Sequence, residues 1–207
     1  VIPSWEAMLP ILNGKIPLVI HADEIRQINA AVEWAEKRKY RMILSGGQDA
    51  WKLADWLGER KIPVIYHHIF TAPRYRNSPH DEQFRAPGIL AKAGVPLSIG
   101  FRLGGWTAAN QRNLPYHAAQ AVAHGLSRGK ALASITMEPA KLAGVSKRLG
   151  SLEVGKEATF IATTGDLLDL RSSVKHMIIS GRSTSLQSRH TRLYERYRNR
   201  PKPREKP

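Results

Sequence analysis

Four short apolar runs, each leading into a helical pattern, occupy the first 125 residues. Pro17-Leu18-Val19-Ile20 is the first, and it ends at His21-Ala22-Asp23. Ile25, Ile28, Val32 and Ala35 then recur at three- and four-residue spacing, which predicts an amphipathic helix. Asp23 and Glu24 suit its start and Lys37-Arg38-Lys39 its end. Arg41-Met42-Ile43-Leu44 ends at Ser45-Gly46-Gly47, and Asp49 is placed to cap a helix facing inward with Trp51, Leu53, Ala54 and Leu57. Ile62 to Tyr66 is the third run and ends at His67-His68. A polar loop with Pro73, Pro79 and His80 follows, then a helix over 81–93 containing Pro87 and stopped by Gly94. Val95 to Ile99 is the fourth run, ending at Gly100-Phe101-Arg102, and 116–124 reads as an alanine-rich helix. Strands apolar throughout, separated by helices, predict a parallel sheet covered by helices. A doubly wound open sheet and part of a (β/α)8 barrel both fit, the whole barrel requiring about 250 residues. In either, chemistry belongs at the C-terminal ends of the strands.

Beyond residue 125 the rhythm changes. Ser127 is placed to cap a helix through Ala131, Leu132 and Ile135, and Pro139 to open a short helix closed by Gly144. Glu153-Val154-Gly155-Lys156-Glu157 is a turn signal, and Ala158–Ala162 and Val174–Ile179 read as strands of a small β module.

Charge alters the picture at one end only. The chain holds 32 Lys and Arg against 17 Asp and Glu, a net of +15. Residues 171–207 contribute 11 basic and 2 acidic residues, so +9 of that excess lies there. The last stretch, RHTRLYERYRNRPKPREKP from Arg189, predicts a short helix running into an extended basic tail. A solvated terminus is the favoured reading over nucleic-acid binding, because no binding fold accompanies it. At 207 residues and 42% hydrophobic, the chain suits one domain with an appendage. The absence of cysteine excludes disulfides, zinc–thiolate sites, iron–sulfur clusters and cysteine nucleophiles. No apolar run approaches the roughly 20 residues of a membrane span. The start lacks a signal-peptide pattern and opens on Val1 rather than Met, as a processed chain or a piece of a longer protein does. Cytoplasmic localisation is the default expectation, with room for a signal peptide in a preceding half.

The strand ends carry a resemblance. PLVIHAD at 17–23, KAGVPLSIG at 92–100, NLPYHAAQAVAHGLSRGKALASITMEPAKLAG at 113–144 and LGSLEVGKEATFIAT at 149–163 resemble the C-terminal half of the amidohydrolase superfamily, in its imidazolonepropionase- and prolidase-like branch. The resemblance implies an α/β fold: a partial (β/α)8 TIM barrel, about its last four units, followed by a small β-sandwich segment. It divides the chain into 1–148 (barrel half and following helices), 149–184 (sandwich) and 185–207 (basic tail). It also implies metal-assisted hydrolysis of non-peptide or dipeptide carbon–nitrogen bonds, in a protein completed by a missing N-terminal barrel half. In that alignment the fifth-strand metal-ligand histidine is His21. The sixth-strand histidine falls in Ser45-Gly46-Gly47, and the eighth-strand aspartate falls on Arg102. Arg has no lone pair to give. No metal is therefore expected for these residues alone, and a divalent cation such as zinc belongs to the completed protein. The alternative is a non-catalytic barrel relative binding a small anionic ligand at Arg102.

The other candidates come from position. His67 and His68 are adjacent, so strand alternation sends one of them into the pocket, with His67 slightly preferred. His80 lies in a loop that can reach the mouth, and Asn110 and Arg112 follow the last strand. His117 and His124, seven apart on a helix, read as packing or surface residues. Expected partners are the missing barrel half or a second copy, and a small-molecule ligand; neither a membrane nor nucleic acid is expected.

Overall fold

Two short helices, α1 (Pro3–Glu6) and α2 (Leu9–Leu12), lead into β1 (Leu18–Ala22). The computed structural model describes residues 2–102, 104–198 and 200. After β1 come α3 (Ile25–Lys37), β2 (Met42–Gly46), α4 (Ala54–Glu59), β3 (Val64–Tyr66), α5 (Glu82–Lys92) and β4 (Leu97–Ile99). The strands pair in parallel in the order β1-β2-β3-β4, each joined to the next through a helix. The apolar runs thus form one parallel sheet, as predicted.

Register sorts the side chains into rows. Ile20, Leu44, Val64 and Leu97 stand in one row, and Ala22, Gly46, Tyr66 and Ile99 in the next on the same face. That face packs against Ile28 and Val32 of α3, Leu57 of α4 and Leu90 of α5, all fully buried. Each such side chain contributes about 1.5–3 kcal/mol when taken from water. The opposite face carries the row His21, Ser45, Ile65 and Ser98, with Val19 one step below and 60% exposed. Tyr66, within the second of the helix-facing rows, donates its hydroxyl to the Gln83 side-chain oxygen on α5.

Helix α3 starts where the sequence places it. Glu24 accepts a hydrogen bond from the Gln27 backbone N–H while Gln27 Oε1 accepts from Glu24 N at 3.3 Å, a reciprocal cap. Asp49 departs from expectation. It makes no cap with its side chain, which accepts from Lys52 Nζ at 2.8 Å, and the turn it opens, Ala50–Leu53, is 3-10.

After β4 the three expected helices form, preceded by a helix and a 3-10 turn that the sequence did not announce. The chain forms α6 (Gly105–Asn110), a 3-10 turn at Gln111–Asn113, α7 (Leu114–Ala123), α8 (Arg128–Ile135) and α9 (Met137–Leu142). Ser98 Oγ donates to the Ser134 carbonyl at 3.2 Å, fixing α8 against β4. A separate antiparallel sheet follows, of β5 (Phe160–Thr163), β6 (Val174–Ile179) and β7 (Arg182–Ser183). Arg128 on α8 holds the loop between β5 and β6 through two 2.8 Å bonds to Asp166. Helix α10 (Arg189–Arg198) has no buried residue. The extended stretch expected from residue 201 lies outside the described residues. Among the described residues, no helix is long and apolar enough to cross a membrane.

Candidate functional site

The C-terminal ends of β1, β2 and β3 meet over a glycine. Gly46 closes β2 with φ +100°, a conformation that L side chains rarely adopt. A Cβ built there would lie 2.4 Å from Asp23 Oδ1 and 2.8 Å from His21 Cε1. The bare backbone at β2 is thus what lets the end of β1 fold across it.

Asp23 is the centre of what gathers there. Its Oδ1 accepts from His68 Nε2 at 2.8 Å, and its Oδ2 lies 3.3 Å from His21 Nε2. The backbone N–H of Gln48 supports the same carboxylate. Burial pushes the carboxyl up, but the His68 hydrogen bond, the two imidazoles and the Gln48 N–H outweigh it and hold Asp23 at about 2. Behind it, His68 Nδ1 is 3.2 Å from Thr71 Oγ1, so both ring nitrogens of this buried histidine are occupied. The Asp23 main chain is held as well, its carbonyl accepting from Asp49 N at 2.9 Å. The loop after β3 is tied back by an ion pair from Arg74 to Glu24 and by Gln48 Nε2 on the Ala72 carbonyl at 3.4 Å.

His67 completes the group. Its ring stacks on His21 with centroids 6.4 Å apart, and its Nδ1 is buried without a hydrogen-bond partner. Burial lowers His67 to about 4; His68, His21 and Arg102 push in the same direction and Asp23 opposes them. Gly100 lies alongside, where a Cβ would stand 3.7 Å from the His67 ring.

The structure thus brings His21, His67 and His68 together and leaves the other candidates outside the Asp23 network. The two adjacent rings diverge: His67 stacks on His21 of the row opposite the helices, while His68 is edge-on to Tyr66 of the helix-facing row. His80 is exposed in the turn before α5. Asn110 ends α6, and Arg112 is exposed in the turn that follows. Arg102 is exposed at the β4 tip, near enough to His67 to act on it by charge. The carboxylates of Asp23 and Asp49 are engaged elsewhere, Asp23 with the histidines and Asp49 with Lys52. His117 is a packing residue, edge-on to Phe70 and Phe101 at 4.7 and 4.5 Å. His124 packs on Phe84 at 4.9 Å. The residues that sequence reasoning passed over are Asp23, seen only as a helix-start residue, and Gly46. The signal for the first was the spacing His21-x-Asp23 at a strand end.

A divalent cation does not fit these side chains by themselves. His68 has no nitrogen left, Asp23 has both oxygens engaged, and β2 ends in glycine. Among the described residues, no group of three His, Asp or Glu side chains is disposed to hold a metal ion.

Comparison with known proteins agrees with the parallel sheet and the helices around it. The sequence pattern of the amidohydrolase family matches residues 15–184, and the chain belongs to that family. No match is found among curated proteins. Among solved structures, an amidohydrolase from Thermotoga maritima MSB8 is similar at 26% identity and TM-score 0.77, over 89% of this chain and 47% of that one. A prolidase complexed with N-methylphosphonate-L-proline shares the fold at 20% identity and TM-score 0.65, over 86% and 47%. A second amidohydrolase shares it at 19% identity and TM-score 0.60, over 82% and 45%. The chain therefore spans about half the length of the structures it matches.

Proposed function

We propose that this chain supplies the C-terminal half of a barrel hydrolase acting on carbon–nitrogen bonds of dipeptides or non-peptide amides. The observation that carries the reading is the gathering of His21, Asp23, His67 and His68 at the carboxyl ends of parallel strands, in a chain of the amidohydrolase family. The remaining strands of the barrel come from an N-terminal half outside these 207 residues, consistent with relatives twice as long. The antiparallel sheet is then part of the small sandwich over 149–184, and 185–207 is a basic appendage. A zinc ion in the completed protein takes its ligands chiefly from that other half, because these strand tips do not offer a set. The prolidase among the similar structures makes dipeptides the first substrates to try.

The test is turnover by the full-length protein on a panel of dipeptides and cyclic amides, with release of amine as the readout. Hydrolysis of at least one class, lost in His21→Ala while the fold is retained, is the expected result. A folded protein that hydrolyses none of them, yet binds dicarboxylates through Arg102, would replace the hydrolase reading with that of a ligand-binding barrel.

A further inference from the structure

At the amino ends of the strands, opposite the tips, one turn is used three times to leave a helix. Tyr40 N donates to the Ala35 carbonyl at 2.9 Å, Ile62 N to that of Leu57 at 3.0 Å and Val95 N to that of Leu90 at 3.1 Å. The residue before each donor is left-handed, with φ +58° at Lys39, +54° at Lys61 and +78° at Gly94. Glycine adopts this conformation freely and lysine does not, so backbone preference accounts for neither lysine. A cation after the last turn of a helix is favoured by the helix dipole, and for Lys39 that is sufficient. Lys61 also faces a recess. It is about 280 Å³ in volume and lies between the starts of β2 and β3 and the end of α9, with Tyr40, Met42 and Leu142 in its walls. Among the described residues, Arg41, Arg60, Lys61 and Lys141 line it against one carboxylate, Glu36.

Two of those cations are already balanced. Glu36 lies 3.4 Å from Arg60, whose guanidinium stands over the Trp56 ring, and Glu138 holds Lys141 at 2.7 Å. Among the described residues, Arg41 and Lys61 form no ion pair, and Arg41 donates instead to the Lys15 carbonyl at 3.4 Å. We propose that this recess binds a small dianion, a phosphate group being the simplest that matches its two unbalanced charges. Arg41 and Lys61 are the donors. A guanidinium offers a planar fork of N–H groups and an ammonium three more, and neither accepts, so an anionic oxygen is the partner both lack. Arg60 and Lys141, held by their own carboxylates, add field rather than bonds. Met42 lines the recess and Gly46 closes the same strand, so about 13 Å of β2 separates this site from the strand tips. A ligand here does not reach His21 or His68, and its binding does not depend on the hydrolase reading.

The experiment titrates the full-length protein with inorganic phosphate in a calorimeter, at an ionic strength fixed with sodium chloride. Saturation at one phosphate per chain is expected. Arg41→Ala and Lys61→Gly should each weaken it about tenfold or more, as loss of a hydrogen bond to a charged group does. Lys61→Gly keeps the turn, because glycine takes φ +54° freely, so it should melt close to wild type in the absence of phosphate. Lys39→Gly relieves the same conformation outside the recess and should leave the affinity unchanged. Succinate and its neutral diamide test the charge. Succinate binding that is lost in Lys61→Gly would support the recess and make dicarboxylates its occupants, and a diamide that binds as tightly as succinate would count against a dianion site. No saturable binding of either anion, or equal weakening in Lys39→Gly and Lys61→Gly, would overturn the inference. So would phosphate binding that survives Arg41→Ala and Lys61→Gly but is lost in Arg102→Ala, because the anion would then lie at the strand tips.

Discussion

Gly46→Ala tests the geometry of the site without removing any of its chemical groups. Two costs are separable. The first is conformational: φ is +100°, and an L residue in the left-handed region loses about 1–2 kcal/mol. The second is local. The new methyl would stand 2.4 Å from Asp23 Oδ1, against 3.4 Å and beyond for ordinary contact, so the carboxylate must retreat by about 1 Å. The bond from His68 Nε2, now 2.8 Å, would then stretch past hydrogen-bonding distance. Loss of a hydrogen bond to a charged group removes about 1.5–3 kcal/mol. The sum is about 2.5–5 kcal/mol. Gly47→Ala is the control. It shares a positive φ of +72°, but its Cβ would meet the methyl of Ala50 at 3.1 Å and no site residue. It should lose the conformational part and little more. Urea denaturation of the two variants beside wild type gives the difference, and histidine tautomers show whether Asp23 still holds His68. Equal destabilisation of the two, or an unaltered His68 signal in Gly46→Ala, would refute the claim that a bare β2 tip is what allows Asp23 to bridge.

Acid should weaken the fold well before ordinary carboxylates titrate. Burial lowers His117 to about 4 from an ordinary value of 6.5, so the unfolded chain takes up that proton first, and stability falls as pH drops from 6.5 toward 4. The melting temperature of wild type should fall relative to that of His117→Leu as pH drops through that range, and parallel curves would count against it. Asp23, lowered to about 2 from 3.8, acts in the same direction at the bottom of the scale: its contribution is present above 3.8 and is lost as pH falls toward 2. Prepared alone, the 207 residues should self-associate through the uncovered sheet face, where Val19 is 60% exposed and β1 and β4 form the outer strands of the four. Val19→Lys should shift sedimentation toward monomer, and a monodisperse monomer in the wild type would contradict the expectation.

What the sequence discloses and what it conceals follow from different physics. The parallel sheet was legible because burial is periodic. Ile28, Val32 and Ala35 recur at helical spacing, and the runs ending at Ile20, Leu44, Tyr66 and Ile99 are too short and too apolar for anything but covered strands. Helix α6 was not legible, since Gly104-Gly105 and Asn110 read as a loop and no apolar stripe marks the segment. The site was half legible. Position at a strand end brought out His21 and the His67-His68 pair, and alternation separates the two rings, His67 with His21 and His68 with Tyr66. What alternation does not supply is the partner that each side chain finds. For His68 that partner is Asp23, 45 residues away in the chain, and no local rule links the two. Asp23 itself looked like a helix-start residue, a role that Glu24 fills through Gln27. That division of labour frees Asp23 to face the strand tips. A carboxylate next to a helix start is therefore better judged by whether its neighbour can cap in its place. In His21-Ala22-Asp23-Glu24, with Gln27 three residues after Glu24, the cap was already written in the chain, and Asp23 was the carboxylate left over.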